Sequence, residues 1–465
     1  MSRSLSLLVI ALTAPLPAQV LHWAGFRGTA HNGVASAQAR PPVKWSAEEN
    51  IAWKKELPGP GSSSPILVGD RVLVYCYSGY GDYLDDGGEP KNLMHHLVSF
   101  DRNTGEEKWT QAIAGPLEKA ARRMQLSQHG FASPTPVCDG KTVFVYMGRA
   151  GVVAFDLDGK KLWQTDLGHP GADSKAATNR VSQRGQVLSL RWGAAASPVL
   201  FENLVIVNCA EESNSIRALN RKTGKLVWKR ESPNLEGSVT PPMVAGTGAD
   251  AVIVVTLAGE VWGLDPKTGA LLWTVETESR GGLSPMPVTD GKLVYVFGGS
   301  GKSKAIQFSR DFKAAKSDVG DARKPTEKKT VTDANEEIIV AKSPRVVWES
   351  ENLGIPSPVL HGGQLFLVRS NGFGVCMSAK DGEVSHNARL DGRTSSVYAS
   401  PVWADGKLYV VSRKRGTFIY SADGEFKLLG RNELEDDSQF NASPAIAGKQ
   451  LFLRSDKVLY CIAKK

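Results

Sequence analysis

The sequence predicts an all-β protein, an eight-bladed β-propeller of four-stranded antiparallel blades. Three observations lead to this prediction. A Ser-Pro or Thr-Pro dipeptide marks each of eight successive units, a Gly turn followed by a tryptophan recurs between these dipeptides, and one strand-like segment precedes the first full repeat. A repeat of about 40 to 50 residues that holds four short strands is typical of a propeller blade.

The dipeptide sets the period of the repeat. Its shortest spacing is 43 residues, and three longer spacings indicate units with insertions. Proline suits the first residue of an inner strand, where the sheet needs no amide donor. The eight dipeptides are Ser64-Pro65, Ser133-Pro134, Ser197-Pro198, Thr240-Pro241, Ser284-Pro285, Ser357-Pro358, Ser400-Pro401 and Ser443-Pro444.

One unit without an insertion displays the four strands directly. Residues 400–430 read SPVWADGKLYVVSRKRGTFIYSADGEFKLLG, in which three runs rich in Val, Tyr, Phe and Ile are separated by Gly-containing turns. A fourth extended run follows them. Short β-prone runs joined by such turns indicate consecutive antiparallel hairpins.

The turn before the outer strand has its own motif. ALNRKTGKLVW (218–228), GLDPKTGALLW (263–273) and SFDRNTGEEKW (99–109) place Asp or Asn and then Gly before Trp. Gly105, Gly224 and Gly269 supply the left-handed backbone of this turn, and Trp is large and flat enough to pack between neighbouring sheets. The predicted docking tryptophans are Trp53, Trp109, Trp163, Trp228, Trp273 and Trp348, with His386 and Leu428 in the two remaining units.

The two ends of the chain predict how the ring closes. The segment IAWKKELPG, which contains Trp53, precedes the first Ser-Pro, whereas the last unit ends at VLYCIAKK after three strands. We therefore expect residues 51–57 to be the outer strand of the last blade, because this pairing removes the open edges. Residues 51–465 then form one propeller domain.

The N-terminal region predicts export. Residues 1–18 combine Arg3, an apolar run and a proline-containing tail that ends at Ala18, which is the pattern of a signal peptide. We expect a periplasmic or secreted protein in which residues 19–50 form a leader that packs on the propeller. No cysteine directly follows the apolar run, so a lipid anchor is not expected, and no later run is apolar enough to span a membrane.

The composition narrows the function classes. The formal net charge is +8, but no nucleic-acid-binding module accompanies it, so no nucleic-acid partner is expected. Widely spaced cysteines in strand-like runs predict buried thiols rather than disulfides or a zinc site. We expect a monomer. The cysteines are Cys76, Cys138, Cys209, Cys376 and Cys461.

Three insertions are predicted to gather on one face of the ring. Residues 78–96 interrupt the loop between the second and third strands of the first blade, and residues 110–132 and 164–196 lead into the second and third blades. A fourth insertion, residues 309–343, replaces the turn of the fifth blade on the opposite face. Its Lys, Asp and Glu content predicts a mobile linker.

Candidate ligand-binding residues lie in these insertions and in the loops that lead into the fourth and fifth blades. Asp82, Asp85, Asp86 and Glu89 offer oxygen ligands for Ca²⁺, although their spacing differs from an EF-hand loop and a solvated acidic loop is the simpler interpretation. A second group precedes inner strands and is expected at the channel mouth, where it would orient a polar ligand or serve packing and salt bridges between blades. This group is His129, Arg191, Trp192, Glu236 and Arg280.

A family resemblance follows from the turn motif. The pattern D-x-x-T-G-x-x-x-W at 101–109 and 265–273 resembles the tryptophan-docking repeat of PQQ-like, quinoprotein-type propellers, and WAGFRGTAHNGV (23–34) resembles the leader of their uncharacterised secreted members. That family also includes quinoprotein alcohol and sugar dehydrogenases and the scaffold lipoprotein of the outer-membrane barrel assembly machine. The resemblance covers nearly the whole mature chain, but its residues build blades rather than active sites.

The resemblance leaves two functions to compare. A quinoprotein dehydrogenase would need a Ca²⁺-bound PQQ, a carboxylate base and usually adjacent cysteines, and this chain has neither adjacent cysteines nor a C-x-x-C-H haem motif. We therefore expect a non-catalytic module without a cofactor that binds a protein or polysaccharide partner through its loop-capped face. The alternative is a PQQ- and Ca²⁺-dependent oxidoreductase of alcohols or sugars, with Asp82, Glu211 or Glu236 as its carboxylates. A hydrolase or lyase lacks a clustered His and carboxylate signature.

Overall fold

A computed structural model describes most of the chain. The described residues are 21–81, 87–117, 129–168, 193–235, 237–278, 285–298, 301–309, 344–351, 354 and 356–464, with the backbone alone of 329–333 and 336–340. Within them, helix is confined to α1 (Ala210–Ser213) and to short 3-10 turns at Pro90–Asn92, Gly148–Ala150, Pro233–Leu235 and Gly248–Asp250. No helix of this part of the chain is long and apolar enough to cross a membrane.

The strands form eight antiparallel blades, as predicted. Two strands precede the repeats, β1 (Leu21–Trp23) and β2 (Ile51–Glu56). Blade 1 contains β3 (Ile66–Val68), β4 (Arg71–Ser78), β5 (Met94–Asp101) and β6 (Glu107–Ala114); blade 2 contains β7 (Val137–Cys138), β8 (Thr142–Tyr146), β9 (Val152–Asp156) and β10 (Lys161–Thr165). Blade 3 contains β11 (Val199–Phe201), β12 (Leu204–Cys209), β13 (Ser215–Asn220) and β14 (Leu226–Glu231); blade 4 contains β15 (Met243–Ala245), β16 (Val252–Leu257), β17 (Glu260–Leu264) and β18 (Leu271–Glu276).

The second half of the ring repeats this order. Blade 5 contains β19 (Val288–Thr289), β20 (Leu293–Val296), β21 (Ser303–Gln307) and β24 (Arg345–Ser350), with a separate hairpin of β22 (Lys329–Asp333) and β23 (Glu336–Val340). Blade 6 contains β25 (Val359–His361), β26 (Gln364–Val368), β27 (Phe373–Ser378) and β28 (Val384–Arg389). Blade 7 contains β29 (Val402–Ala404), β30 (Lys407–Val411), β31 (Thr417–Ser421) and β32 (Leu428–Asn432); blade 8 contains β33 (Ala445–Ala447), β34 (Gln450–Arg454) and β35 (Val458–Ile462).

Ring closure through the N-terminal strand is confirmed. Strand β2 pairs antiparallel with β35, with Ile51 opposite Ile462 and Glu56 opposite Val458, and so becomes the outer strand of blade 8. Trp53 in this strand lies opposite Cys461. Because residues far apart in sequence share one sheet, unfolding either terminus exposes the edge of blade 8.

The Gly turns receive the tryptophans of the preceding blades. In blade 1, the Asp101 carboxylate accepts hydrogen bonds from the amides of Asn103 and Thr104, and Gly105 has a φ of 72°. A Cβ atom on Gly105 would lie 2.6 Å from the Trp53 ring. Five tryptophan Nε1 atoms donate at 2.8 to 3.0 Å to a carbonyl of the next blade: Trp53 to Arg102, Trp109 to Leu157, Trp163 to Arg221, Trp228 to Pro266 and Trp348 to Ala379.

Blade 7 departs from the predicted docking position. Strand register places Gly430, rather than Leu428, at the position of the tryptophans, because Ile419 pairs with Gly430 and a bulge follows. The missing ring is partly replaced by the leader: the Val43 carbonyl lies over Gly430, and Trp45 is buried in the apolar cluster of blades 7, 8 and 1.

The inner strands are joined by a ring of hydroxyl-to-amide hydrogen bonds. At one position of six blades, a Ser or Thr hydroxyl accepts from the backbone amide of the preceding blade. These residues are Ser64, Thr135, Ser197, Ser357, Ser400 and Ser443. The equivalents are Pro241 in blade 4 and Met286 in blade 5, so the predicted markers Ser133-Pro134, Thr240-Pro241 and Ser284-Pro285 were one or two residues out of register.

The leader crosses the centre of the ring. Strand β1 pairs with inner strand β3, the Ala24 carbonyl accepts from the Cys138 amide of blade 2, and the buried Arg27 guanidinium donates to the Pro358 carbonyl beside blade 6. Blades 2 and 6 stand opposite each other in a ring of eight, so residues 24–27 span the axis. The chain then forms a β-bridge between Val34 and Trp403 of blade 7, and the Arg40 amide donates to the Gly448 carbonyl of blade 8.

The insertions begin and end at slightly different residues from those predicted. Strands β4, β5 and β6 extend into the expected loops, which leaves 79–93 and 115–136 as the connections in and after blade 1. Strand β10 likewise ends at Thr165. The charged insertion, expected to be a linker, contains the hairpin β22–β23, in which Lys329 pairs with Val340. The β-branched runs TVT and IIV explain this strand formation.

Candidate functional site

The candidate site is the face where the second strands end and the next inner strands begin. The insertions after β4, β6 and β10 all emerge there, whereas the leader occupies the axis of the ring. Loops carried on a rigid β scaffold are the usual location of binding residues. The residues that end the second strands therefore decide the chemistry of this face.

These strand-end residues form a series of hydrogen bonds between neighbouring blades, from blade 8 to blade 4. Arg454 of blade 8 donates to the Ser63 and Tyr75 carbonyls of blade 1, at 3.1 and 2.6 Å. Tyr75 donates to the Phe131 carbonyl leading into blade 2 at 3.1 Å. Tyr146 of blade 2 donates to Glu212 of blade 3 at 2.6 Å, and Asn208 of blade 3 donates to Ser238 at 2.9 Å and to the Thr240 carbonyl at 3.0 Å beside blade 4.

The other sector of the ring is apolar at the same position. In blades 5, 6 and 7, strand register places Phe297, Val368 and Val411 at the position that Arg454, Tyr75, Tyr146 and Asn208 occupy in their own blades. All three apolar residues are buried. Polar junctions therefore occupy the half of the ring from which the three loop insertions arise. The polar sector is defined here as Arg454, Tyr75, Tyr146, Asn208 and Glu212.

Glu212 is the most perturbed carboxyl group of this sector. It lies on α1, is 3% exposed and accepts the Tyr146 hydroxyl. The pKa of Glu212 is raised to about 7, mainly by burial. The Tyr146 hydrogen bond opposes this shift, and the charge of the neighbouring Glu211 adds to it. The sequence-derived candidate Glu211 is also buried on α1, and its neighbour Glu212 was missed because only ring assembly brings Tyr146 to it.

On blade 1, a buried tyrosine and a buried histidine are in contact. Tyr75 and His95 are joined by a 2.7 Å contact between the hydroxyl and Nδ1, and burial lowers the pKa of His95 to about 3. His95 is therefore neutral at physiological pH. His96 points elsewhere, with its Nε2 at 2.7 Å from the Ser78 hydroxyl, so the two adjacent histidines face different neighbours.

One predicted channel-mouth residue is described, and it lies between blades 1 and 2. His129 Nδ1 is 2.9 Å from the Ser133 hydroxyl, and its carbonyl accepts from Ser62 at 3.3 Å. Glu89 of the acidic loop forms a 2.6 Å ion pair with Lys91 on the surface. The remaining candidates lie outside the described residues: Asp82, Asp85, Asp86, Arg191, Trp192, Glu236 and Arg280.

The described donors do not fit a Ca²⁺-bound quinone. Calcium requires six to eight oxygen ligands, mostly ionised carboxylates and carbonyls. Among the residues outside the gaps of the structure, no three His, Cys, Asp or Glu side chains converge on one point. Glu212, the most deeply buried carboxyl group of the face, is held in an environment that favours its neutral form.

Comparison with known proteins agrees with this architecture. A family model described as "Outer membrane protein assembly factor BamB" matches residues 93–324 and 327–453. BamB of Alkalilimnicola ehrlichii is 24% identical over 252 residues, which are 54% of this chain and 52% of that protein. A tetrathionate hydrolase of Acidithiobacillus ferrooxidans is 23% identical over 264 residues, 50% of this chain and 44% of that protein. The chain thus spans about half the length of each relative.

Solved structures show the same fold at low identity. BamB from Moraxella catarrhalis superposes with a TM-score of 0.57 and 13% identity, covering 88% of this chain and 96% of that one. A europium-containing methanol dehydrogenase gives a TM-score of 0.56 and 11% identity, covering 94% and 89%. BamB and a methanol dehydrogenase therefore share this scaffold, so the fold alone does not decide between the two functions.

Proposed function

The chain belongs to the propeller family described as outer membrane protein assembly factor BamB, and we propose from this premise that it is an exported, non-catalytic binding module. Its partner is a protein, which docks on the face that carries the loops after β4, β6 and β10. Protein is favoured over polysaccharide because the family and two of the relatives are named for assembly of outer membrane proteins. The signal-like residues 1–18 support export.

The observation that supports this proposal is how the polar groups of the face are used. Arg454, Tyr75, Tyr146 and Asn208 each donate a hydrogen bond to the next blade, and these bonds stabilise the ring. A catalytic group needs to reach a substrate atom within hydrogen-bond distance. The polar sector instead forms rigid contacts between blades, and a rigid scaffold of this kind presents loops for recognition.

The leader supports the choice of face. Residues 24–27 span the axis between blades 2 and 6, and Arg27 is fully buried there. Residues 24–27 therefore obstruct one approach to the centre of the ring, and a ligand approaches from the side of the loops. The loops then provide the contact surface for a partner that is larger than the channel.

The proposal is tested by loop replacement. Residues 118–128, next to His129, are replaced by a Gly/Ser segment of equal length, and the matched control replaces residues 310–328 of the charged insertion in the same way. Tagged proteins expressed in the native bacterium are cross-linked, and the captured envelope proteins are identified and then purified for a direct binding assay. We expect the first replacement alone to weaken the purified pair at least about tenfold, an effect of about 1.4 kcal/mol.

The outcome that contradicts the proposal is equally specific. If both replacement proteins bind the purified partner as tightly as the natural chain, the loop face is not the docking site. Thermal unfolding of each variant is measured in parallel, because a variant with an unchanged melting temperature retains the ring. The alternative function, PQQ- and Ca²⁺-dependent oxidation, is supported by the scaffold shared with the methanol dehydrogenase and is decided by cofactor titration.

A further inference from the structure

The rim of the propeller carries a second feature that the loop face does not explain. Each outer strand is a sheet edge with unpaired backbone amides and carbonyls, which proteins normally protect with charges, bulges or covering segments. The outer strand of blade 3, β14, exposes two adjacent apolar side chains, Leu226 by 50% and Val227 by 47%, whereas β10, β24, β28 and β32 each expose one large apolar side chain. Leu162 on the outer strand of blade 2 is 46% exposed.

Two other outer strands are covered by the chain itself. Beside blade 7, the Trp45 amide donates to the Asn432 carbonyl oxygen Oδ1, and Asn432 Nδ2 donates to the Val43 carbonyl, both at 2.9 Å. Beside blade 4, strand β23 of the inserted hairpin lies close to β18. The molecule thus places extended segments beside two outer strands, whereas in the described part of the chain β14 is the terminal strand of its sheet and pairs with β13 alone.

The open edge is also strongly basic. Residues 221–231 read RKTGKLVWKRE, which contains five basic residues and one acidic residue. Lys229 pairs with Glu231 at 2.8 Å and Arg221 with Asp139 at 3.4 Å, whereas Lys222 and Lys225 form no ion pair with any described residue. Exposed lysines flanking an apolar pair favour an acidic partner with apolar side chains.

The backbone of β14 is suitable for accepting another strand. From Trp228 to Glu231 it pairs in regular register with β13, and the bulge lies before Trp228. Trp228 is 7% exposed and donates to the Pro266 carbonyl at 2.8 Å, so the edge is fixed to blade 4. A rigid, regular edge loses little conformational entropy when an added strand binds to it.

From these observations we propose that the outer edge of blade 3 docks an extended acidic segment of a partner protein, which adds as a strand to β14. Its apolar side chains cover Leu226, Val227 and Leu162, and its carboxylates meet Lys222, Lys225 and Lys229. This site lies on the outer strands of the propeller, away from the loop face. Its test therefore gives a result that does not depend on the loop-face function.

The test uses a defined probe. A fluorescein-labelled peptide of alternating Glu and Val is titrated with the full chain at low salt and followed by fluorescence anisotropy. We expect saturable binding that weakens as salt is raised, because exposed charges are screened. The double variant K225E/K229E should weaken binding by at least about tenfold, through two lost rim attractions and two new repulsions.

Two controls separate strand addition from general charge attraction. The variant K54E/K55E makes the same charge change on exposed lysines of β2 in blade 8, and it should bind the peptide within about twofold of the natural chain. A peptide with N-methyl groups on alternate amides keeps its charge but cannot donate to the edge, and it should bind at least about tenfold more weakly.

The same peptide titrations also give the results that would contradict strand addition at β14. The proposal fails if no binding occurs up to about 1 mM peptide, if K54E/K55E weakens binding as much as K225E/K229E, or if the N-methylated peptide binds equally well. It also fails if anionic phosphatidylglycerol vesicles bind the edge in competition with the probe and the probe shows no dependence on its backbone amides. Far-UV circular dichroism of each variant confirms that the blades remain folded.

Discussion

The junction between blades 2 and 3 differs from the junction between blades 4 and 5 in what joins the sheets. At the first, Thr135 donates its amide to Ser197, Tyr146 donates to Glu212, and Trp163 donates to the Arg221 carbonyl. At the second, Pro241 and Met286 occupy the ring position, and the buried Trp273 Nε1 has no acceptor among the residues that the structure describes.

The second junction is stabilised by apolar burial instead. Met286, Val296 and Ile306 of blade 5 share one buried cluster with Trp273 and Leu264 of blade 4. Directional hydrogen bonds fix the geometry of a junction, whereas apolar contact contributes stability roughly in proportion to the buried area. The ring thus combines rigid polar junctions under the loops with an apolar junction beside the charged insertion.

The largest expected effect is the loss of Trp273. Trp273 is fully buried, so Trp273→Ala should lower the free energy of unfolding by about 3–5 kcal/mol. Trp163 is partly exposed, and Trp163→Ala should cost less in spite of its hydrogen bond. Denaturant unfolding of both variants checks this order, and a larger loss for Trp163→Ala would show that hydrogen bonding outweighs burial.

The pH dependence of stability tests the polar junction. The pKa of Glu212 is raised from 4.5 to about 7, so the folded protein binds this proton more tightly than the unfolded chain does. The contribution of Glu212 to stability therefore falls as the pH rises from 4.5 through about 7, by about 1.4 kcal/mol per unit of pKa difference.

The matched variant for this prediction is Glu212→Gln. The difference in unfolding free energy between the natural chain and this variant should change across that pH window and stay constant above it. A difference that is flat from pH 4 to pH 8 would show that Glu212 titrates normally. Glu107→Gln on the exposed strand β6 is measured in parallel as the control for removing one carboxyl group from the protein surface.

The smallest expected effect concerns the hydroxyl ring. Ser197→Ala leaves the Thr135 amide without its buried acceptor and should cost about 1 kcal/mol. Met286→Leu at the equivalent position of blade 5 conserves volume and removes no hydrogen bond, so it should cost less than about 1 kcal/mol. Equal losses in chemical denaturation would indicate that the ring bonds add no specificity at their junctions.

The sequence predicted the blade count and closure because Gly turns and tryptophans repeat at fixed positions. It placed the ring position wrongly in blades 2, 4 and 5, where Ser133 to Pro136, Thr240 to Pro242 and Ser284 to Pro287 each offer two possible registers. Only strand pairing distinguishes them, since Val137, Met243 and Val288 fix the inner strands.

The candidate site was harder to predict than the blades. Glu212 and Tyr146 are 66 residues apart and meet only when blade 3 packs on blade 2. Likewise, the basic edge at β14 is recognised as the terminal strand of a sheet only once the strand order is known. Local patterns therefore predict elements, whereas the chemistry of a face depends on contacts between distant repeats.

Titration with PQQ and Ca²⁺ tests the central claim of a non-catalytic binding module most directly. The purified full chain is titrated with both, the quinone absorbance is followed, and an artificial electron-accepting dye is added with alcohols and sugars. We expect neither a saturable change in quinone absorbance nor dye reduction above the protein-free control. Saturable binding followed by substrate-dependent dye reduction would contradict the central claim and establish the oxidoreductase.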